Sequence, residues 1–134
     1  MNLQEIFDKV ATHLLTQNKK AQSPVVPGEQ IKPKCLYRAP DGSKCAVGCL
    51  IPDDLYDPAI EGSSVADDIV WEAATGELDY DRAEEFALGD LLTQLQITHD
   101  EDEVEYWPNA LRCIAEGRHL TLPPLLKERL EYVQ

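Results

Sequence analysis

Apolar residues recur at helical spacing in five stretches of this chain, and this periodicity limits the folds open to it. The clearest stretch covers residues 3–16. Its apolar side chains fall at i, i+3, i+4, i+7, i+8, i+11 and i+12, which is one stripe on a helix: Leu3, Ile6, Phe7, Val10, Ala11, Leu14 and Leu15. Asn2 stands where its side-chain oxygen can cap the first turn. The pattern predicts an amphipathic first helix.

Four more helices are predicted further along the chain. One runs from a capping arrangement at Ser64–Asp67 to about Thr75, and another covers residues 80–97. A fourth follows Asp100 and Glu103, which have capping-box spacing, and ends at Gly117; the last runs from about Pro123 to Tyr132. The expected inward-facing residues of the second and third helices are Ile69, Val70, Ala73, Ala74, Ala83, Phe86, Ala87, Leu88, Leu91, Leu92 and Leu95.

The segments between the first and second helices read differently. Residues 17–34 contain three prolines, one glycine and four lysines, which predicts an extended connection. Residues 35–48 predict a β-hairpin, because the Ala39–Gly42 sequence has proline second and glycine fourth, as a type I turn prefers. The sequence therefore predicts one α+β domain over residues 1–134, predominantly α-helical, with about five helices and one β-hairpin at residues 35–48.

The four cysteines, Cys35, Cys45, Cys49 and Cys113, are expected to be thiols in a reducing cytoplasm. The N-terminus has acids and no continuous apolar run, unlike a secretory signal. No stretch reaches the ~18 apolar residues of a membrane span. Core thiols and no cofactor are the simpler interpretation, since the spacing Cys-x9-Cys-x3-Cys is not the paired spacing of zinc sites. A zinc site is the alternative, completed by Cys113 or by a histidine: His13, His99 or His119.

Charge is distributed unevenly along the chain. The net charge is −13, from 25 acids and 12 bases. Residues 52–105 hold 18 acids and one base, Arg82, whereas residues 1–51 hold 4 acids and 7 bases and residues 106–134 hold 3 acids and 4 bases. Such a field repels nucleic acids and anionic membranes and attracts basic protein surfaces. Solubility alone is the competing explanation.

We expect the carboxylates of this middle stretch to form one negative face that binds a basic protein surface, in the way that the phosphates of a nucleic acid would. Tyr56, Trp71 and Tyr80 lie among these acids and could anchor a partner. The predicted partner-binding residues are Asp53, Asp54, Asp57, Glu61, Asp67, Asp68, Glu72, Asp81, Glu84 and Glu85.

Other functions predict other residues. A protein that binds a nucleotide signal or another small anion would need a pocket with basic groups, for which the candidates are Arg38, Lys44, Arg112 and Arg118. The acidic run at residues 100–105 lacks the alternating ligands and the glycine of a calcium-binding EF-hand loop. No nucleophile-elbow, Walker A, dinucleotide-binding or H-E-x-x-H motif occurs, so an enzyme is the less favoured interpretation.

The block CLYRAPDGSKCAVGCLIPDDLYDPAIEG, residues 35–62, resembles small hypothetical proteins of bacteriophage and prophage genomes. The segments LQEIFDKVATHLL and LQITHDEDEVEYWPNALRCIAEG resemble them as well, and the three segments cover roughly half of the chain. No activity is attached to that family, so the resemblance assigns no functional residue. It implies a phage-encoded protein of the host cytoplasm. There, small acidic proteins often inhibit host factors such as defence nucleases, and the expected partner is a basic host protein.

Overall fold

The structure is a computed structural model that describes residues 2–24, 27–28, 33–76 and 82–131. Within these ranges the chain forms five α-helices: α1 (Leu3–Gln17), α2 (Asp68–Thr75), α3 (Arg82–Glu101), α4 (Trp107–Gly117) and α5 (Pro124–Glu131). Short 3-10 turns lie at Gly48–Leu50, Pro58–Ile60 and Val104–Tyr106. None of the described helices combines the length and the apolar character that a membrane crossing needs.

Helix α1 confirms the clearest prediction from the sequence. The Asn2 side chain accepts a hydrogen bond from the Glu5 backbone N–H at 2.8 Å, and the Glu5 carboxylate accepts one from the Asn2 N–H at 3.2 Å. This capping box satisfies donors that the first turn leaves unpaired. The apolar stripe is buried, and Asn18, in a left-handed conformation with φ 54°, ends the helix.

The core is formed where α1 and α4 pack against α3, with α5 covering α1 and α4. Its largest buried side chain is Trp107, at the start of α4. The Trp107 indole N–H lies 3.1 Å from the Thr98 carbonyl oxygen and 3.2 Å from that of Asp102, so α4 is tied to the end of α3. Burial of a large aromatic side chain with its polar atom satisfied stabilises this junction.

The predicted β-hairpin at residues 35–48 is absent, and the α+β assignment was wrong. The described residues contain no strand, only isolated antiparallel bridges between Gln22 and Cys35 and between Arg38 and Lys44. The turn itself forms, because the Gly42 N–H donates to the Ala39 carbonyl oxygen at 3.0 Å. The extended segments fail because a strand alternates its faces, whereas the whole run Cys45, Ala46, Val47 and Gly48 is buried and turns into the core.

The ends of the other helices confirm some predictions and correct others. Asp67 caps α2 through the Ile69 N–H at 3.1 Å, and Gly76 follows its last turn, as predicted. The predicted capping box of Asp100 and Glu103 was wrong: Asp100 lies inside α3, and the Glu103 side chain caps nothing. The predicted start of the third helix at residue 80 and the predicted end of the last helix at residue 132 lie outside the described residues.

Candidate functional site: a groove along the third helix

Two adjoining depressions follow α3 on its solvent side. One, of about 420 Å³, is lined by Val65, Ala66, Trp71, Glu85, Phe86, Gly89, Asp90 and Thr93. The other, of about 460 Å³, is lined by Cys35, Leu36, Tyr37, Gly62, Ser63, Ser64, Val65, Ala66, Thr93, Gln96, Ile97, Asp100 and Glu101. Both include Val65, Ala66 and Thr93, so they form one continuous surface, which we call the α3 groove.

The groove exists because α3 has two different faces. Its core face is buried and consists of Leu88, Leu91, Leu92 and Leu95. Residues three and four apart lie on the same side of a helix. On a flank away from these leucines, such spacing brings together a second row that lines both depressions: Phe86, Gly89, Thr93, Gln96 and Asp100. The loop at residues 62–66 forms the opposite wall, joined by Trp71 of α2.

The apolar side chains Val65, Trp71 and Phe86 line the end of the groove nearest the start of α3. Phe86 is 87% exposed, and Ile69 of α2, which is not part of the lining, is 66% exposed. The sequence predicted both to face inward, and the structure places both on the surface. A single exposed apolar residue is ordinary, but a nearly fully exposed phenylalanine beside the half-buried Trp71 forms an apolar patch. Such patches often mark binding surfaces.

Carboxylates flank this patch and continue to the other end of the groove. Glu85 and Asp90 line the aromatic end, and Asp100 and Glu101 line the far end. No lysine or arginine belongs to the lining among the described residues. Arg118, directly after α4, pairs with Asp90, and Lys20 donates to the Asp100 carbonyl oxygen at 3.2 Å. The lining therefore carries acidic side chains at both ends of the groove and basic groups only beside it.

Most of the predicted partner-binding residues are exposed in the structure, and Glu61 is half-buried. The exposed ones are Asp53, Asp54, Asp57, Asp67, Asp68, Glu72, Glu84 and Glu85. Of these, Glu85 lines the groove, and Asp68 and Glu72 lie one turn apart on α2, the helix that contributes Trp71 to the groove wall. Asp81 lies outside the described residues.

Three of the predicted acids form ion pairs or cap helices within the fold. Asp53 pairs with Arg38 at 2.8 Å and approaches Lys44 at 3.7 Å. Asp57 caps the 3-10 turn at Pro58–Ile60, and Asp67 caps α2. These three carboxylates are exposed and add to the field around the molecule, and each also has a partner within the fold.

Glu61 is the clearest case of an internal role. Its carboxylate accepts hydrogen bonds from the Tyr37 N–H at 2.8 Å, the Arg38 N–H at 3.1 Å and the Tyr56 hydroxyl at 2.6 Å. Burial, together with the hydrogen bond to Glu61, raises the pKa of Tyr56 to about 12. Glu61 thus holds the segment at residues 37–38 against the loop that forms the groove wall.

A polar cluster closes the far end of the groove. Cys35, His99 and Asp100 place potential metal ligands within 4.8 Å of one another, and they are the only such group of three among the described residues. The Nε2 atom of the buried His99 accepts the Ala21 N–H at 2.9 Å, since a backbone amide can only donate. The proton of His99 therefore sits on Nδ1, which donates to Asp100 at 2.7 Å.

This hydrogen bonding does not suit a zinc site. A metal ion on Nδ1 would move the ring proton to Nε2, where it would face the Ala21 N–H. The predicted cysteine ligands do not gather either: Cys45 is buried, Cys49 is half-buried with its thiol 3.1 Å from the Ala46 carbonyl oxygen, and Cys113 is exposed on α4. Zinc stays a prediction of the sequence without a matching set of donors in the described residues.

The four candidate residues for an anionic ligand do not line the groove; Arg38 and Lys44 lie together at Asp53. Arg38 donates to the Ile51 carbonyl oxygen at 2.7 Å and lies over the Tyr56 ring at 4.7 Å, in addition to its pair with Asp53. The remaining basic candidates each approach a carboxylate: Lys44 at Asp53, Arg112 at Glu116 and Arg118 at Asp90. None of the four lines the groove.

A row of mostly polar residues at helical spacing marks the groove in the sequence, although the spacing of apolar residues alone does not indicate it. Phe86, Gly89, Thr93, Gln96 and Asp100 repeat with alternating steps of three and four, as residues on one side of a helix do. This row is too polar to be a core face.

Comparison of the chain with models of protein families, with curated proteins and with solved structures finds no match.

Proposed function

We propose that this chain is a non-enzymatic binding protein whose α3 groove holds a basic segment of a partner protein. One observation carries the proposal. Phe86 is 87% exposed in a groove that also contains Trp71 and has carboxylates at both ends. A fold gains nothing from an aromatic side chain held in water, but a partner that covers it gains the transfer free energy.

The apolar contribution is large enough to matter for affinity. Covering a phenylalanine side chain contributes about 2–3 kcal/mol, and each 1.4 kcal/mol changes a dissociation constant tenfold. Removal of the Phe86 ring should therefore weaken binding by a factor of about 30–100. The surrounding acids act differently: they speed encounter with a basic partner and make binding sensitive to salt.

Charge also decides between a second copy and a different partner. The chain carries a net charge of −13, and the groove is flanked by acids at both ends. Two copies meeting at this surface would bring like charges together, which opposes association. A segment rich in lysine or arginine, with apolar residues to cover Phe86, complements both properties of the groove.

The polar end of the groove supports binding over catalysis. A cysteine nucleophile needs a neighbouring base or a lowered pKa. Here burial and the Asp100 carboxylate raise the pKa of Cys35, and both nitrogens of His99 are engaged, by Ala21 and by Asp100. Cys35 therefore lacks the surroundings of an activated thiol.

The resemblance to phage proteins gives this proposal its setting. In that setting the partner is a host protein, and occupation of its basic surface inhibits it in place of a nucleic acid. Proteins that bind nucleic acids carry basic surfaces of this kind, which an acidic groove would compete for.

Capture of host proteins on the immobilised chain tests the proposal when groove variants are paired with matched controls. We expect Phe86→Ser and Glu85→Lys to lose the captured protein, since both residues line the groove. Tyr106→Ser and Glu105→Lys should retain it, because these exposed residues lie outside the lining. The protein should also elute between low salt and about 0.5 M salt. Retention by both groove variants would refute the proposal.

A further inference from the structure

We infer that the element bound in the α3 groove is an amphipathic, basic α-helix lying along α3. This inference rests on the proposed function and specifies the kind of partner. The row Phe86, Gly89, Thr93, Gln96 and Asp100 alternates steps of three and four residues, which is the spacing of the contact line in a coiled coil. A second helix laid beside such a row meets it once in every turn.

Gly89, the second residue of this row, brings the Trp71 ring close to α3. A Cβ atom built at Gly89 would lie 3.6 and 3.7 Å from the Trp71 ring, so the indole packs against the glycine and extends the apolar surface beside Phe86. A partner helix would lay apolar side chains on this surface. Large side chains at Phe86 and Ile97 stand to either side along the groove.

The length of the groove suits a helix of ordinary size. From Phe86 to Asp100 is 14 steps along α3, or about 21 Å at 1.5 Å per residue. A parallel or antiparallel helix of about 15 residues would span this distance. The alternative, an extended segment bound by backbone pairing, needs an open sheet edge, and the described residues contain no strand.

The two ends of the groove indicate the pattern of side chains on the partner helix. Apolar residues would cover Phe86 and Trp71 at one end. Lysine or arginine would face Asp100 and Glu101 at the other end and Glu85 along the flank. The expected ligand is thus a helix with one apolar stripe and basic residues on both sides of it.

Two labelled peptides of equal composition test this inference by fluorescence anisotropy. One is an 18-residue peptide, long enough for about five helical turns, with leucine at coiled-coil spacing and lysine elsewhere. The other has the same residues in an order that gives no apolar stripe. We expect the first to bind at least about tenfold more tightly and to become helical on binding, which circular dichroism measures.

A pair of substitutions at one site adds the structural control. Gly89→Leu places a bulky side chain against the Trp71 ring and should weaken binding of the striped peptide by about tenfold or more. Gly89→Ala adds only a Cβ atom in ordinary van der Waals contact with that ring and should change the affinity by less than about twofold. Thermal unfolding confirms that both variants fold. If neither variant nor peptide order affects binding, the helical partner is refuted.

The outcomes separate this inference from the proposed function. If the two peptides bind with equal affinity and Glu85→Lys abolishes that binding, the helical form of the partner is refuted and a basic partner of another form remains. If the striped peptide does not bind but capture of a host protein still depends on Phe86, the helical form of the partner is again refuted while the proposed function stands. Capture that ignores Phe86 overturns the proposed function itself. Self-association that Phe86→Ser abolishes would assign the groove to a second copy and refute both.

Discussion

Replacement of Glu61 by glutamine should destabilise the fold by several kcal/mol, whereas replacement of Asp54 by asparagine should leave its stability nearly unchanged. Both changes remove one negative charge and little volume, and the sequence gives both acids the same role. In the structure Glu61 accepts three hydrogen bonds, two of them from backbone N–H groups, while Asp54 is exposed. The pair therefore isolates the internal role of one carboxylate.

The magnitude follows from what a glutamine amide can accept. One of its two terminal atoms is an NH2 group, which is a donor and would face the Arg38 N–H or the Tyr37 N–H. An unpaired buried donor costs about 1–3 kcal/mol, and loss of the charge weakens each remaining bond, which with a charged acceptor contributes about 1.5–3 kcal/mol. We expect a total of about 3 kcal/mol, or a fall in Tm of about 10 °C for a domain of this size.

Urea denaturation followed by tryptophan fluorescence and circular dichroism measures the difference. Asp54→Asn should stay within about 0.5 kcal/mol of the wild-type chain, as surface substitutions usually do. Equal free energies of unfolding for the two variants would refute the reasoning, because they would mean that the bonds to Glu61 contribute no more than an exposed charge. A matching loss in both would point to the overall charge instead.

Three further predictions concern packing, acid stability and thiol chemistry. Gly48→Ala should unfold or strongly destabilise the chain in a thermal melt, because its Cβ would overlap a backbone carbonyl oxygen, whereas Gly117→Ala, which has open space, should be neutral or slightly stabilising. Burial lowers the pKa of His13 below its ordinary 6.5. As pH falls, His13 therefore becomes protonated in the unfolded chain before it becomes protonated in the folded chain. Stability should therefore fall as pH drops from about 7.5 to about 5.5, and fall less in His13→Gln when urea midpoints are compared. Burial raises the pKa of Cys45 to about 12, so a thiol reagent should modify the exposed Cys113 quickly and Cys45 only on unfolding. Mass spectrometry of timed samples measures this order, and modification of Cys45 before Cys113 would contradict the prediction.

Local patterns in the sequence were sufficient for most of the helices. The stripe of α1, its cap at Asn2 and the cap of α2 at Asp67 depend on residues within four positions of one another. Such signals need no knowledge of the rest of the chain. The predicted hairpin failed for the opposite reason: its turn formed locally, but residues 45–48 were drawn into a core built by distant helices.

The site was predicted only in its charge. The excess of acids over residues 52–105 can be counted from the sequence, and Glu85, one of the acids predicted to bind a partner, lines the groove. Which acids remain available was not visible, because Glu61 and Asp53 meet partners in other segments. Phe86 was assigned to the core because its spacing fits that face, and only the packed structure shows it pointing to solvent.

The sequence by itself determined the helical character of this protein, the caps of α1 and α2 and the amount and position of its negative charge, because these depend on residue type and near neighbours. Tertiary structure alone decided which face of α3 is buried, which carboxylates serve the fold and where an apolar patch stays uncovered. The physical reason is that burial depends on contacts between segments far apart in the chain. A helix with apolar residues on two sides gives no local indication of which side its neighbours will cover.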